Sequence, residues 1–308
     1  MRGYVLRRIL TLPLIVIAVY TLVFLLARSS PGGPWDPNLP VPQAVIDNLR
    51  AHYHADESLV VQYWELAKNI VLHADLGPSY LAMRRNVSTM IAEALPISLA
   101  LGAASVVLAL VVGLVLGVIA AIKRNTAVDY GSMGLMMFGI SIPPYVITPL
   151  MVIIFAIWLP WLPSQGWNGL FSKAAIIPII ALALGPAATV ARYARNSVLD
   201  VIRLDYVRTA EAKGLSPRVV VMRHVLRNAL IPVITVAGLY VTRTLTHTFY
   251  VEYIYGIPGM GRLGVDAVFG RDYPVILGVS LVVSGLVVIT NLLVDISYAW
   301  ADPRVRFR

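Results

Sequence analysis

Residues Asp205-Tyr206-Val207-Arg208-Thr209-Ala210-Glu211-Ala212-Lys213-Gly214-Leu215 form a short charged stretch between two strongly apolar ones. Helical spacing puts Arg208, Glu211 and Ala212 on successive turns, so polar and small positions share one surface. Ala210 and Ala212 leave room there for another surface to come close. Gly214 permits the left-handed backbone that ends a helix. Ser216 then reads as an N-cap and Pro217 as the first residue of a second helix. Two short helices meeting at such a turn make a knob. From spacing alone, the knob is either a docking handle for a partner or a solvated loop that keeps positive charge on one side of a membrane.

The surroundings of the knob set the compartment. The chain is 58% hydrophobic and only 13% charged, with a mean hydropathy of +0.76. Apolar runs at Ile9 to Leu26, Leu95 to Ile122, Gly131 to Leu159, Ala174 to Ala191, Ala229 to Tyr250 and Pro274 to Tyr298 are each about long enough to cross a hydrocarbon core of roughly 30 Å. An all-α polytopic membrane protein of about six transmembrane helices is expected. The first run follows Arg2, Arg7 and Arg8 in the manner of a signal peptide. It is too long for one, and Ala27-Arg28-Ser29-Ser30-Pro31 is no clean cleavage site, so the run is expected to stay as an anchor. The expected layout is a helix over 1–27, an extracytoplasmic loop with short helices over 28–94, a core of five spans over 95–298 including a segment at 205–220, and a tail over 299–308. In the loop, 43–69 reads as one helical stretch. In the third span, Pro143, Pro144 and Pro149 remove backbone donors and predict a kink.

The net charge of +9 raises the question of nucleic acid. The cations, however, flank apolar spans instead of forming one soluble patch, so nucleic acid is not expected as a partner and the lipid bilayer is. Of 25 lysines and arginines, 16 fall at the N-terminus, in 122–130, in 192–228 and in the tail, and nine fall on the other side. Both termini, and the knob with them, are therefore expected in the cytoplasm.

The fifth span carries Arg243, Thr246 and His247, an unusually polar run for hydrocarbon. Arg243 and His247 are four apart and share a helix face, so they either line a translocation path that attracts a carboxylate or pack between helices. Asp295 is the one carboxylate inside an expected span. Gly113 and Gly117 form a small-xxx-small pair suited to close helix packing. His52 and His54 lack further ligands at metal-site spacing, and there is no cysteine, so no metal is expected. Gly256, Gly259 and Gly261 around Pro258 read as a turn. No G-x-x-x-x-G-K-[ST] phosphate cradle occurs, so the chain is not expected to hydrolyse ATP.

YVRTAEAKGL at 206–215 followed by RHVLRNALIPVIT at 223–235 resembles the cytoplasmic coupling loop of ABC-transporter permeases of the dipeptide/oligopeptide (peptide/nickel) family. LRRIL near the start, PGGPWD, HYHADESLVVQYW, DLGPSY, IYGIPGMGRL and the terminal DPRVRF extend the likeness over nearly the whole chain. GWNG at 166–169 places it nearest the first-membrane-subunit branch of oligopeptide permeases. The generic loop has a glutamate six residues before its glycine, where this chain has Arg208, and Ala210 and Gly214 match the motif's small residues.

The resemblance implies a type-I ABC importer permease fold in a bacterial plasma membrane. It implies that Tyr206, Arg208, Thr209, Ala210, Glu211, Ala212, Gly214 and Leu215 meet an ATPase subunit. It further implies a second homologous permease subunit, two ATP-binding subunits that carry ATP and magnesium, and an extracytoplasmic peptide-binding protein, with no cofactor on this chain. The expected role is a non-catalytic permease subunit of a peptide importer, with nickel chelates or another small solute as the alternative cargo. A secondary carrier would show internal repeats and midplane ionisable groups, and a hydrolase a nucleophile with its base; neither pattern is present.

Overall fold

The computed structural model describes residues 2–29, 47, 50–54, 56–82, 85–230, 233 and 248–301. In chain order the helices are α1 (Arg2–Ser29), α2 (Leu59–His73), α3 (Val87–Ile122), α4 (Ala127–Ser141) and α5 (Pro144–Val152). They continue with α6 (Ile176–Ile202), α7 (Asp205–Ala212), α8 (Pro217–Val219), α9 (Met260–Gly270) and α10 (Tyr273–Ala301). Among the described residues there is no β-strand, only an isolated bridge between Pro78 and Asn86. Among the described residues, four helices are long and apolar enough to span a membrane, at Leu10–Ser29, Val87–Ile122, Lys173–Ile202 and Tyr273–Ile296. Ala127–Ser141 with Pro144–Trp158 makes a fifth if that bent pair is one span.

Several expected boundaries move for local reasons. The second span begins at Val87, inside what reads as outer loop, because Asn86 caps a helix there by accepting from the Ser88 N–H at 2.8 Å and Pro96 is accommodated within the helix. The helix expected over 43–69 is broken. His54 takes φ 50°, and Ser58 then caps α2 by accepting from the Val61 N–H. The third span bends where the prolines predict a kink, by 106°. Ile142, which precedes a proline, is extended at φ −104° and ψ 117°, and α5 starts afresh with Pro144 in its first turn. Residues 226–230, 233 and 248–255, in and around the expected fifth span, are helical; Arg243, Thr246 and His247 lie outside the described residues.

The chain divides into two compact units. One comprises Leu99–Gly256 and the described residues from Thr290 on. Its centre is α6, whose span has 67% of its residues buried, against 33% for the spans of α3 and α10. Alanines make this possible, because they let neighbouring backbones approach. A Cβ on Gly113 would lie 2.5 Å from the Ala187 carbonyl oxygen, and one on Gly117 would run into Ala191 and Ala194. The small-xxx-small pair of α3 thus packs on α6, and Gly139 of α4 faces Leu184 and Ala188 of the same helix.

The other unit comprises Arg2–Ser98 and Ile257–Ile289. In it α1 meets α2 through Tyr20, whose hydroxyl donates to the Tyr63 carbonyl at 2.6 Å, and through Thr21, which shares a 2.8 Å hydrogen bond with the Tyr63 hydroxyl. The DLGPSY segment is tied by its own side chains. Asp75 accepts from the Gly77 N–H at 2.9 Å and from Asn86 Nδ2 at 2.6 Å, closing a turn in which Gly77 takes φ 81°. Asp272, 2% exposed, accepts from the Ser79 hydroxyl and from the Tyr80 and Leu81 N–H groups at 3.2 Å. It also caps the start of α10. Tyr80 stacks edge-on between Tyr53 and Tyr273.

Candidate functional site

The quoted stretch folds as the spacing predicts, and its stop has a complete set of capping bonds. Gly214 takes φ 78°. Its N–H donates to the Glu211 carbonyl at 2.9 Å, and the Leu215 N–H donates to the Ala210 carbonyl at 3.4 Å. These are the two bonds of a Schellman motif, which satisfies the carbonyls that a helix C-terminus leaves open. An added Cβ at Gly214 would meet nothing within 4 Å, so the glycine is required by backbone conformation and not by crowding. At the other end Asp205 supplies a carboxylate to the first turn, favourable at the positive end of the helix dipole.

α7 has two faces. Val207 is fully buried and Ala210 is 5% exposed, in one core with Val198, Val201, Val220, Val225 and Ala229. Arg208, Thr209, Glu211, Ala212, Gly214 and Leu215 are all exposed. The two alanines therefore part company. Ala212 stands on the open face, whereas Ala210 faces inward and lets α7 lie close to its own core, a correction to the expectation that both leave room for a partner. Tyr206 straddles the faces: its hydroxyl donates to the His224 carbonyl at 3.2 Å and accepts from Asn228 Nδ2 at 2.7 Å.

Beyond the turn, Ser216 is extended at the N-cap position and Pro217 opens α8, as expected, but the Ser216 side chain makes no cap hydrogen bond. The helix then widens to π geometry over Val220–Val225. The surface around α7 is rich in cations: Lys123, Arg203, Lys213, Arg218, Arg223 and Arg227 are exposed. Arg208 is only loosely paired, 3.8 Å from the exposed Asp205. Such a face suits an acidic counterpart.

Of the expected path residues, the structure describes the helix that follows them. Thr248, Glu252 and Tyr255 lie at helical spacing and are all fully buried. The Tyr255 hydroxyl donates to the Pro163 carbonyl, and the Gly166 N–H donates to the Tyr255 carbonyl at 2.8 Å. GWNG is thereby bound to this helix. Glu252 falls two residues past the expected end of the fifth span, which is why hydropathy counting passes over it. His54 faces Glu57 at 3.0 Å, and His52 packs edge-on against Tyr53.

A second omission is larger. Asp129, in the first turn of α4, is 1% exposed. It accepts two hydrogen bonds of 2.7 Å from Nε and Nη2 of Arg195 on α6, and a third of 3.0 Å from the Asn125 N–H. The available signal was a carboxylate at the mouth of an apolar span, which demands a partner; nothing local says that the partner is 66 residues away.

Against known proteins, residues 113–307 match the family described as "Binding-protein-dependent transport system inner membrane component". The chain is 40% identical over 306 residues to the dipeptide transport system permease protein DppB of Bacillus subtilis (strain 168), covering 99% of this chain and 98% of that one. It is also 40% identical over 308 residues to the oligopeptide transport system permease protein OppB of Escherichia coli (strain K12), covering 100% of both. Among solved structures, the MetNI methionine ABC transporter in an inward-facing conformation superposes with a TM-score of 0.58 at 18% identity, over 70% of this chain and 97% of that one. An amino acid ABC transporter superposes with a TM-score of 0.54 at 14% identity, over 69% and 94%. At those identities the likeness concerns the fold. The family match over most of the chain, with full-length identity to two permease proteins, places this chain among the binding-protein-dependent transport system inner membrane components.

Proposed function

We propose that the chain is a membrane-spanning permease subunit of an ATP-driven peptide importer, forming half of the translocation path. The observation that carries this reading is end-to-end identity to dipeptide and oligopeptide permease proteins. The capped, exposed helix at 205–212 supports the reading, because such a subunit needs a surface handle for its ATPase. The partners would be a second, homologous permease, two ATPase subunits that bind ATP and magnesium, and an extracytoplasmic peptide-binding protein. The subunit itself would carry no catalytic group or cofactor.

Six spans with both termini in the cytoplasm of a bacterial cell complete the topology. The outer loop covers 28–94, the core 95–298 and the tail 299–308. In this reading Tyr206, Arg208, Thr209, Glu211, Ala212, Gly214 and Leu215 meet the ATPase, and Ala210 supports them from within. Closure of the ATPases would push α7, and the push would bias the spans between inward-open and outward-open packings. Arg243, Thr246 and His247 would line the path.

The test is peptide-stimulated ATP hydrolysis and peptide uptake by the co-expressed complex in liposomes, comparing wild type with Gly214→Pro. Proline cannot adopt φ 78° and has no N–H to give to Glu211. Loss of stimulation and uptake in an intact complex is the expected result. Unchanged stimulation would reduce the knob to a charged loop that only sets topology.

A further inference from the structure

One stretch of α6, from Ala191 to Val201, meets three neighbouring helices. Ala191 and Ala194 receive α3 at Gly117, Arg195 holds Asp129 of α4, and Val198 and Val201 enter the core shared with Val207 and Ala210 of α7. Ser197 adds a hydrogen bond to the Ala229 carbonyl at 2.9 Å, tying the same stretch to the segment after α8. The contacts to α3 and α7 are apolar and carry no directional bond. The contact to α4 adds one, because a two-pronged guanidinium–carboxylate bond fixes both separation and rotation.

We propose that Asp129 and Arg195 are positioning residues that make α4 follow α6 as one body during transport, so that displacement of α7 reaches the bent pair α4–α5. This inference rests on the transport reading above. Three observations carry it. Asp129 accepts three hydrogen bonds, one at Oδ1 and two at Oδ2, so both oxygens are engaged. The aspartate side chain is 2% exposed and that of the arginine 20%, and parting them leaves the shielded aspartate charge uncompensated, which disfavours a gate that opens in every cycle. The exposed pair of Arg208 and Asp205, at 3.8 Å, has neither property. Finally, α4 ends only 12 residues past Asp129, at the break before Pro143, so rotation at its start is carried directly to the bend.

The experiment uses the full complex in liposomes with Asp129→Asn, Arg195→Gln and the double variant. Complex yield, ATP hydrolysis and peptide taken up per ATP are measured. Each single variant is expected to lower uptake per ATP by about tenfold while hydrolysis stays near wild type. The double variant removes the uncompensated charge without restoring the fork, so its yield should recover while uptake per ATP stays low. Uptake and hydrolysis that fall in parallel with yield, or an unchanged ratio, would make the pair a structural tie only.

A second measurement holds even if the variants do not assemble. The chain has no cysteine, so Tyr130→Cys and Asn196→Cys, both exposed positions, can carry spin labels beside the intact pair. One distance shared by nucleotide-free and ATP-trapped complexes is expected. A shift of several ångströms between the two states overturns the proposal. A wild-type complex that hydrolyses ATP but takes up no peptide would defeat the transport reading instead, and the label distance would still report on the joint.

Discussion

Asp129 and Asp272 are both almost fully buried, yet they are satisfied in opposite ways. Asp129 meets a cation on another long helix, whereas Asp272 is surrounded by neutral donors, the Ser79 hydroxyl and the N–H groups of Tyr80, Leu81 and Val275. A carboxylate that gathers several neutral donors from one loop fixes the path of that loop. One held by a guanidinium fork fixes the relation between two rigid rods. The loop unit is therefore stitched by hydrogen bonds and aromatic edges, and the α6 unit by small residues in close contact together with the buried Asp129–Arg195 tie.

The largest effect is expected where the neutral cage is emptied. Asp272→Ala strands several buried donors at once and should cost about 3 kcal/mol. The check is the melting temperature of the purified protein together with protease cutting in 75–82. If that segment stays resistant, the cage is not what holds it.

Next comes crowding in the other unit. Gly117→Leu drives a side chain into Ala191 and Ala194 and should cost about 2 kcal/mol, read as a lower melting temperature with unchanged protease resistance in 75–82. Loss of that resistance would mean that the two kinds of region do not respond separately.

Gly214→Ala should cost about 1 kcal/mol, because only the left-handed backbone penalises it. Faster amide exchange of Leu215, whose N–H closes the Schellman motif, would report it. Ser216→Ala should change stability by less than about 0.5 kcal/mol, since its side chain caps nothing; a larger loss in melting temperature would show that the cap forms in solution.

The smallest effect is one of pH. The Asn86 side chain and the Gly77 N–H hold the Asp75 carboxyl below its usual value of 3.8. A depressed carboxylate pKa in the folded state contributes stability above that value and loses it as pH falls through the folded one. Protease sensitivity of 75–86 should rise below about pH 4, and Asp75→Asn should flatten the dependence.

Much of the architecture was legible. The four long spans, the break at Pro143-Pro144, the stop at Gly214 and the turn around Pro258 each follow from chemistry within a few residues: hydropathy, a missing N–H, or a backbone angle that only glycine takes freely. Span ends were less legible. Asn86 caps the start at Val87 by accepting from the Ser88 N–H at 2.8 Å, but Ser88, Thr89 and Glu93 hide that start from hydropathy, and only the neighbours of α3 reveal that its first turns are packed against Gly278. The candidate site was half legible: its residues and its cap could be read, but not its two faces.

Local chemistry in the sequence was thus enough for membrane class, span placement and the existence of the knob, because each signal repeats or ends within one or two turns. Three-dimensional packing settled that Ala210 turns inward, that Arg195 finds Asp129 and that Ser79 finds Asp272. The last two pairs join residues 66 and 193 positions apart. Such pairs depend on the register between helices, which is set by the close approach of glycine and alanine surfaces, a property of two segments together that neither encodes alone.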